Sequence, residues 1–333
     1  MRVHRVTMRE IQMSLVTRFE TSFGSISERH IVLVEAEVDG TTGWGEVVAG
    51  EAPFYAPETT QTAWHILRDF IWPTIKDQEF DGAAGLWCLL GRIRGHNMAK
   101  AGLEAALWDA EARAKGLPLW KLIGGTREEI PCGVSIGIKP TLDELAGAVQ
   151  RALSAGYQRI KIKIKPGWDV EPVRRLREQF PRIRLMVDAN SAYRKQDWPL
   201  LKQLDAFYLM MIEQPLGWDD LYGHAELQRK LETPICLDEC IHSEEHALAA
   251  IELGACRILN IKLAAWAAIV WRGASTTSAS SAGCRSGAGG CWNPASAGRT
   301  TSRSPRCRIS RCPATSPPAG VTGTRTSSSR RSR

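Results

Sequence analysis

The chain has 333 residues, of which 44% are hydrophobic and 24% are charged, a composition typical of soluble globular proteins. Its length exceeds that of one typical domain, and no apolar run approaches the ~20 residues that a membrane-spanning helix needs. The first residues also lack the apolar core of a signal peptide. We therefore expect a cytoplasmic protein of two domains that does not associate with membranes.

The net charge of +7 arises in the C-terminal part of the chain. Residues 264–333 contain eleven arginines, no lysine and no acid, so the rest of the chain keeps 32 of the 43 basic residues against 36 acids, a net charge of −4. This segment is rich in Ser, Thr, Gly, Pro and Ala, which is typical of disordered chains. A nucleic-acid-binding role would depend on this segment, and it has almost none of the ordered aromatic or helical features that such a role requires.

Residues 1 to about 125 combine strand and helix patterns. Apolar and polar side chains alternate through two segments that flank a turn at Asp39 and Gly40, HIVLVEAEV and TTGWGEVV, and the alternation predicts strands. Helical stretches such as MAKAGLEAALWDAEARAKG follow. The pattern indicates an α+β domain over residues 1–125.

From about residue 130, short apolar segments alternate with helical ones, which predicts parallel βαβ units. Six segments, spaced roughly 25 residues apart, have the character of strands: PCGVSIGI, RIKIKIK, IRLMVDAN, FYLMMIEQP, TPICLDE and CRILNIK. Since no glycine-rich nucleotide-binding turn follows the first strand, the pattern favours a TIM-type barrel over a doubly wound sheet. We therefore expect a partial (β/α) barrel over residues 126–263.

Three acids stand at the ends of consecutive predicted strands. Asp188, Glu213 and Asp238 are spaced 25 residues apart, and catalytic groups of a TIM-type barrel lie at the C-terminal ends of its strands. Converging carboxylates without His or Cys favour Mg²⁺ or Mn²⁺ over Zn²⁺. The alternative, three solvated acids, is less favoured because all three occupy matching positions.

Lysines occupy the strands on either side of these acids. Alternation along RIKIKIK places Lys161, Lys163 and Lys165 on one face of their strand, directed inward if the intervening isoleucines pack against helices. Lys262 ends the sixth strand. Charges inside a barrel are tolerated where they serve a site, and lysines near one another and near a divalent ion have the lowered pKa of a general base. A solvated edge strand is the alternative.

These residues, together with four longer motifs, carry a resemblance to a known family. The Lys161 and Lys163 pair, the three acids and Lys262 resemble the constellation of the enolase superfamily in its muconate-lactonising branch. The longer motifs, which extend the match over residues 1 to about 262, are similar to the o-succinylbenzoate synthase and N-acylamino acid racemase family: FETSFG (19–24), GWGEVVAGEAPFYAPET (43–59), GHNMAKAGLE (95–104) and IKPGWDVEPV (164–173).

The resemblance implies a fold and a lid. The fold is α/β, with an enolase-type α+β cap and a TIM-like (β/α)7β barrel, here truncated after strand six. A loop around Phe19 and Phe23 would close over the barrel mouth and set substrate specificity.

The resemblance also implies roles. Asp188, Glu213 and Asp238 would hold Mg²⁺, which binds the substrate carboxylate, while Lys163 removes the α-proton. Lys161 would assist Lys163 electrostatically, and Lys262 would face the substrate from the opposite side.

Further roles are open. Asn190 and Glu239 adjoin two of the expected ligands and would support them, although Glu239 could equally be a salt-bridge partner. Ser135, near the end of the first barrel strand, is a candidate substrate contact.

The implied activity is that of a lyase, which dehydrates 2-succinyl-6-hydroxy-2,4-cyclohexadiene-1-carboxylate to o-succinylbenzoate in menaquinone biosynthesis. Racemisation of an N-acylated amino acid, alone or as a second activity, is the alternative, and the sequence does not separate the two. The expected partner is a small carboxylate and neither nucleic acid nor a membrane, and the sequence leaves a homo-oligomer open.

Residues 264–333 depart from the family, and the genetic code offers a reason. The codons of Cys291, Trp292 and Asn293, read in a shifted frame from the last letter of Gly290, give Met, Leu or Val, then Leu, then Glu. Extended over the neighbouring residues, the shifted frame permits PVWCGGMLESGIGR, which resembles the family's seventh strand and the turn after it. We infer a one-nucleotide frame change near residues 263–265, so that residues 264–333 form an out-of-frame tail that we expect to be disordered.

Overall fold

The computed structural model describes residues 1–262, 285–288 and 307–308. It begins with an antiparallel sheet of three strands in sequence order, β1 (Val3–Glu20), β2 (Ser25–Val38) and β3 (Thr41–Val47). Asp39 and Gly40, which join β2 to β3, both have positive φ, 46° and 82°, as in the two-residue turns that match hairpin twist. The expected turn therefore lies where the sequence predicts it.

Helices follow the sheet, and together with it they form the part of the molecule that we call the cap. The longest helix packs against β2 and β3, because Gly43 and Gly45 leave room: a Cβ on Gly45 would lie 2.0 Å from the carbonyl oxygen of Gly102. At its N-terminus, Asn97 Nδ2 donates to the carbonyl oxygen of His242, 3.0 Å away. The helices are α1 (Thr60–Ile66), α2 (Trp72–Ile75), α3 (Leu86–Leu90), α4 (Asn97–Ala114) and α5 (Leu119–Leu122), with a π-helical turn at Leu67–Ile71 between α1 and α2.

The second part is a parallel sheet, here called the barrel sheet, whose strands neighbour one another in sequence order. A short strand, β4 (Glu129–Ile130), precedes it. All six predicted strands are confirmed: β5 (Gly133–Ile136), β6 (Arg159–Lys163), β7 (Arg184–Asp188), β8 (Ile212–Glu213), β9 (Ile235–Leu237) and β10 (Ile258–Ile261). Because a doubly wound sheet reverses its strand order, the sequential order confirms the barrel type.

A helix follows each of the first five barrel strands. Side chains of Thr141, Asp220 and Ser243 accept hydrogen bonds from backbone amides at three of the N-termini, as capping residues do. The helices are α6 (Leu142–Ser154), α7 (Val170–Gln179), α8 (Trp198–Gln203), α9 (Leu221–Gln228) and α10 (Glu244–Leu253).

Each part has its own hydrophobic core. The barrel core joins Ile160, Ile162 and Ile164 to apolar side chains of the helices, among them Leu176, so the predicted outward packing of the isoleucines is confirmed. None of the described helices is long and apolar enough to span a membrane.

Two further short strands lie after residue 263. β11 (Arg285–Ala288) pairs in parallel with β10, and β12 (Cys307–Arg308) pairs antiparallel with β4. The half barrel of six parallel strands expected from the sequence is confirmed, and β11 adds a short strand at the edge beside β10. Strand pairing uses backbone amides and carbonyls, which every non-proline residue has, whereas the sequence prediction depends on side-chain alternation. The rest of the tail predicted to be out of frame lies outside the described residues.

Candidate active site

The three acids meet at one edge of the barrel sheet. Asp188 and Glu213 are the last residues of β7 and β8, and Asp238 directly follows β9. All three are nearly inaccessible to solvent, with 1 to 3% of their surface exposed. Parallel strands bring their carboxyl ends to one edge, so residues 25 positions apart become neighbours.

Lysines of β6 neutralise two of these carboxylates. Lys161 Nζ lies 2.9 Å from Glu213 Oε2 and 3.0 Å from Asp188 Oδ2. Lys163 Nζ lies 2.6 Å from the same Asp188 oxygen and 2.5 Å from Asn190 Oδ1. Lys165, expected on the same face, lies beyond the end of β6 and donates to Glu20 of the cap at 2.9 Å.

Lys262 approaches the acids from the far end of the barrel sheet. It follows β10, and its Nζ lies 2.5 Å from Asp238 Oδ2. Tyr55 of the cap also contacts both groups: its hydroxyl donates to Asp238 Oδ2 at 3.3 Å, and Lys262 Nζ lies 4.4 Å from the centre of its ring. Cap and barrel sheet therefore share this part of the site.

Glu213 and Asp188 differ in the direction of their pKa shifts. Burial raises the pKa of Glu213 to about 7, and the charge of Asp188 adds to the rise. Burial acts in the same direction on Asp188, but Lys163 and Lys161 outweigh it and hold the pKa of that carboxyl well below its usual range.

The pKa values of two lysines differ from the expectation. Burial by itself lowers the pKa of Lys161 and of Lys262, but the carboxylates that face them raise both values above the usual range. The sequence predicts a lowered pKa for lysines near a divalent ion; where each ammonium group contacts a carboxylate directly, as here, the pKa is raised.

Asn190 and Glu239 lie beside the acids. Asn190 Nδ2 donates to Glu239 Oε1 at 2.7 Å, and its backbone amide donates to Asp188 Oδ1 at 3.1 Å. Burial, with the charge of Asp238 in addition, raises the pKa of Glu239 to about 8. Glu239 forms no salt bridge among the described residues, so the salt-bridge alternative raised for it has no support there.

The expected substrate contacts differ in their positions. Ser135 pairs with Lys161 across β5 and β6, and its hydroxyl is buried without a partner among the described residues. Phe23 is 43% exposed, in the turn between β1 and β2, with its ring 6.4 Å from that of Tyr55. Phe19 belongs to β1 itself, and its ring lies close to Gly137, just after β5.

Three residues that contact the site were not predicted. Tyr55 lies in a motif quoted above but had no predicted role. Asn260 donates to Glu213 Oε1 at 3.0 Å, and its position two residues before Lys262, on the same face of the strand, is a signal that could have identified it. Gln214 accepts through Oε1 from the backbone amide of Asp238 at 3.0 Å. A contact between distant loops leaves no pattern in the sequence.

A cavity of about 310 Å³ opens beside the acids, between cap and barrel sheet. Its lining combines aromatic side chains with a few polar ones, among them Phe23, Tyr55, Trp218, Asn190 and Glu239. Phe19 does not border this cavity. A larger cavity, of about 580 Å³, lies at the opposite edge of the sheet, next to Arg184 at the start of β7, and is remote from the acids.

The oxygen atoms present fit a hard divalent cation. Within the described part of the chain, no group of three or more His, Cys, Asp or Glu side chains is arranged to hold a metal ion as it stands, because the lysine ammonium groups lie between the carboxylates. Asp238 Oδ1, however, is buried and has no partner among the described residues. A buried carboxylate oxygen without a donor is costly, and a cation would satisfy it.

Buried carboxylates and lysines at the C-terminal ends of parallel strands define an enzyme active site of the TIM-barrel type. Two family models match the chain: "Mandelate racemase / muconate lactonizing enzyme, N-terminal domain" over residues 4–124 and "Enolase C-terminal domain-like" over residues 144–289. The chain belongs to the enolase superfamily.

Relatives with assigned activities carry two names. The chain is 50% identical to an o-succinylbenzoate synthase of Geobacillus kaustophilus over 262 residues, 78% of this chain and 70% of the relative. It is 47% identical to an N-succinylamino acid racemase of Amycolatopsis, over 79% of this chain and 72% of the relative. An enolase-superfamily structure from Listeria innocua matches with a TM-score of 0.83 and 35% identity, over 86% of this chain and 78% of that one.

Proposed function

We propose that this chain carries the active-site residues of an o-succinylbenzoate synthase, a lyase that dehydrates 2-succinyl-6-hydroxy-2,4-cyclohexadiene-1-carboxylate, and that the protein with its reading frame restored after residue 263 has this activity. The observation that supports this proposal is the placement of Lys163 and Lys262 at opposite ends of the arc of carboxylates, with a cavity beside them. Three relatives named o-succinylbenzoate synthase, 47 to 50% identical to this chain, support the assignment of the product.

We further propose that Asp188, Glu213 and Asp238 hold Mg²⁺ or Mn²⁺. When bound, the cation supplies Lewis-acid stabilisation to the negative charge that develops on the substrate carboxylate as the α-proton leaves. It would also take over the charge neutralisation that Lys161, Lys163 and Lys262 perform here, which frees these lysines for the substrate.

The lysines then have separate tasks. Lys163, released from Asp188, removes the proton from the carbon next to the carboxylate and later returns it to the departing hydroxide. Lys161 keeps positive charge beside Lys163. Lys262, on the other side, keeps positive charge near the ring of the substrate, while the turn that carries Phe23 excludes water.

Racemisation of N-succinylamino acids is the second candidate. It requires one acid-base group on each face of the reacting carbon, and Lys163 and Lys262 approach the acids from opposite ends of the barrel sheet. Relatives named N-succinylamino acid racemase are 45 to 47% identical to this chain. One site can therefore serve both reactions, as dehydration uses Lys163 and racemisation uses both lysines.

The test compares the 333-residue chain with a protein whose reading frame is restored after residue 263. Formation of o-succinylbenzoate is measured with and without Mg²⁺, and racemisation of an N-succinylamino acid is followed by chiral chromatography. The proposal expects Mg²⁺-dependent product from the restored protein, and absence of both products would refute it. Salt-dependent DNA binding that disappears on deletion of residues 264–333 would favour a nucleic-acid-binding protein instead.

A further inference from the structure

Glu239 has one carboxylate oxygen with no assigned use. Its side chain borders the cavity beside the acids, and only 7% of the residue is exposed. Oε1 accepts a hydrogen bond from Asn190 Nδ2 at 2.7 Å, whereas Oε2 is buried with no partner anywhere in the described residues. A buried acceptor left without a donor is destabilising, so the oxygen calls for a donor, which a ligand in the cavity would supply.

A chain of contacts that begins at Lys163, the proposed base, determines which oxygen of Glu239 remains without a partner. Lys163 has donors only, so the atom of Asn190 that faces it must be the carbonyl oxygen, Oδ1. The amide nitrogen of Asn190 therefore points to Glu239 and holds Oε1. Two hydrogen bonds thus connect Lys163 to Glu239, and Oε2 is the oxygen left for a ligand.

Glu239 Oε2 contacts no donor among the described residues, and the hydroxyl of Ser191, which lines the same cavity, is likewise buried without a partner there. Phe23, Tyr55 and Trp218 line the same cavity, and the Tyr55 hydroxyl is engaged with Asp238 and Lys262. A carboxylate oxygen without a donor, in a cavity lined mainly by aromatic and other apolar side chains, favours a ligand that carries an N–H or O–H group.

We propose that Glu239 Oε2 accepts a hydrogen bond from a donor on the substrate, next to the carbon that loses its proton. This inference rests on the proposed function, and both candidate substrates have such a donor. An N-succinylamino acid carries an amide N–H on the reacting carbon, and the cyclohexadiene carboxylate carries a hydroxyl on the adjacent carbon. Glu239 thereby turns the reacting carbon toward Lys163.

The variant Glu239→Gln separates this role from a structural one. Because Asn190 keeps its nitrogen toward position 239, the glutamine must present its oxygen to Asn190 and its NH₂ group to the cavity. The shape is retained, but an acceptor has become a donor. Glu226→Gln, at an exposed ion pair with Lys195 on the outer surface, is the matched control.

The experiment measures binding of two probes by calorimetry, with Mg²⁺ present: N-succinylphenylalanine and its ester analogue, O-succinylphenyllactate, which lacks only the N–H. Both the full 333-residue chain and the frame-restored protein are tested. The affinities for amide and ester are compared in each protein that binds the amide. We expect the wild type to bind the amide about tenfold to a hundredfold more tightly than the ester, the usual range for a hydrogen bond to a charged acceptor. In Glu239→Gln this preference disappears or reverses, and in Glu226→Gln it is unchanged.

Two results would overturn the inference while the proposed function stands: equal binding of amide and ester by the wild type, or an unchanged preference in Glu239→Gln. The wild-type comparison needs no variant and so does not depend on how well a variant folds. If neither probe binds to either protein, the inference fails together with the racemase candidate, whereas formation of o-succinylbenzoate would still test the synthase separately.

Discussion

Lys163 Nζ lies 2.6 Å from Asp188 Oδ2, although 25 residues separate the two in the sequence. The last residues of β6 and β7 are paired across the barrel sheet, and this pairing places a base candidate directly against a candidate metal ligand. The contact has a chemical consequence, because the side-chain nitrogen of this lysine is engaged by the carboxylate and is directed away from a substrate. A cation at Asp188 would release it.

Lys163→Ala should therefore lower the rate of proton abstraction in the frame-restored protein by at least ~10²-fold, the usual share of a general base. The measurement is exchange of the α-proton of an N-succinylamino acid with deuterium, followed by NMR. Lys195→Ala removes an exposed lysine that pairs with Glu226 and serves as the control. Near-normal exchange in Lys163→Ala would assign the base to another residue.

Asp238→Asn should abolish activity and weaken Mg²⁺ binding while the fold stays intact, because the change removes a buried negative charge without changing the side-chain shape. Calorimetric titration with Mg²⁺ alone reports the metal affinity of the frame-restored protein, and circular dichroism reports the fold. Asp143→Asn, at an exposed ion pair with Arg175, should change neither quantity. Unchanged Mg²⁺ affinity in Asp238→Asn would remove this residue from the metal site.

The reading frame should decide whether the chain folds and functions. Among the described residues β5 pairs with β6 alone, and an open strand edge with an apolar face promotes aggregation. Net stabilities of about 5 to 15 kcal/mol leave little margin for the missing part of a barrel. We expect the restored protein to be soluble, to melt cooperatively and to form o-succinylbenzoate, and the 333-residue chain to be inactive and poorly folded. Equal melting and turnover of both would show that the frame interpretation is wrong.

Acid should destabilise the fold through His224. This side chain is fully buried: Nδ1 contacts the carbonyl oxygen of Asp220 at 2.5 Å, and Nε2 accepts from the backbone amide of Leu216 at 3.1 Å. Burial lowers the pKa of His224 to about 4. Above pH 6.5 the imidazole of His224 is neutral in the folded and in the unfolded protein, and it contributes nothing to the pH dependence of stability. Between pH 6.5 and about pH 4, only the unfolded protein takes up a proton at this residue.

The free energy of unfolding should therefore fall by about 3 kcal/mol from this group between pH 6.5 and pH 4. Urea denaturation of the frame-restored protein at a series of pH values measures the loss. The fall in the free energy of unfolding with decreasing pH should be smaller in His224→Gln, by the part that this residue contributes. The variant His65→Gln, at a half-exposed histidine, should show the same fall as the wild type. A slope that is the same in all three proteins would mean that His224 takes up its proton as readily folded as unfolded.

The sequence by itself determined the strands and the identity of the charged groups. Alternation along RIKIKIK fixed which face carries Lys161 and Lys163, and the equal spacing of Asp188, Glu213 and Asp238 predicted that they share one edge of the sheet. These features are local or periodic, so they leave a pattern that can be read along the chain.

Only the tertiary structure decided which groups touch. Tyr55 reaches Lys262 across 207 residues, and Asn190 reaches Glu239 across 49, contacts that depend on how the cap docks on the barrel sheet and how one loop packs on another. The direction of the pKa shifts of Lys161 and Lys262 was decided there too, since it depends on the distance to a carboxylate, which sequence spacing does not contain. The periodicity of the sequence specifies on which face of a strand a side chain lies, and packing between distant segments specifies which residues that side chain contacts.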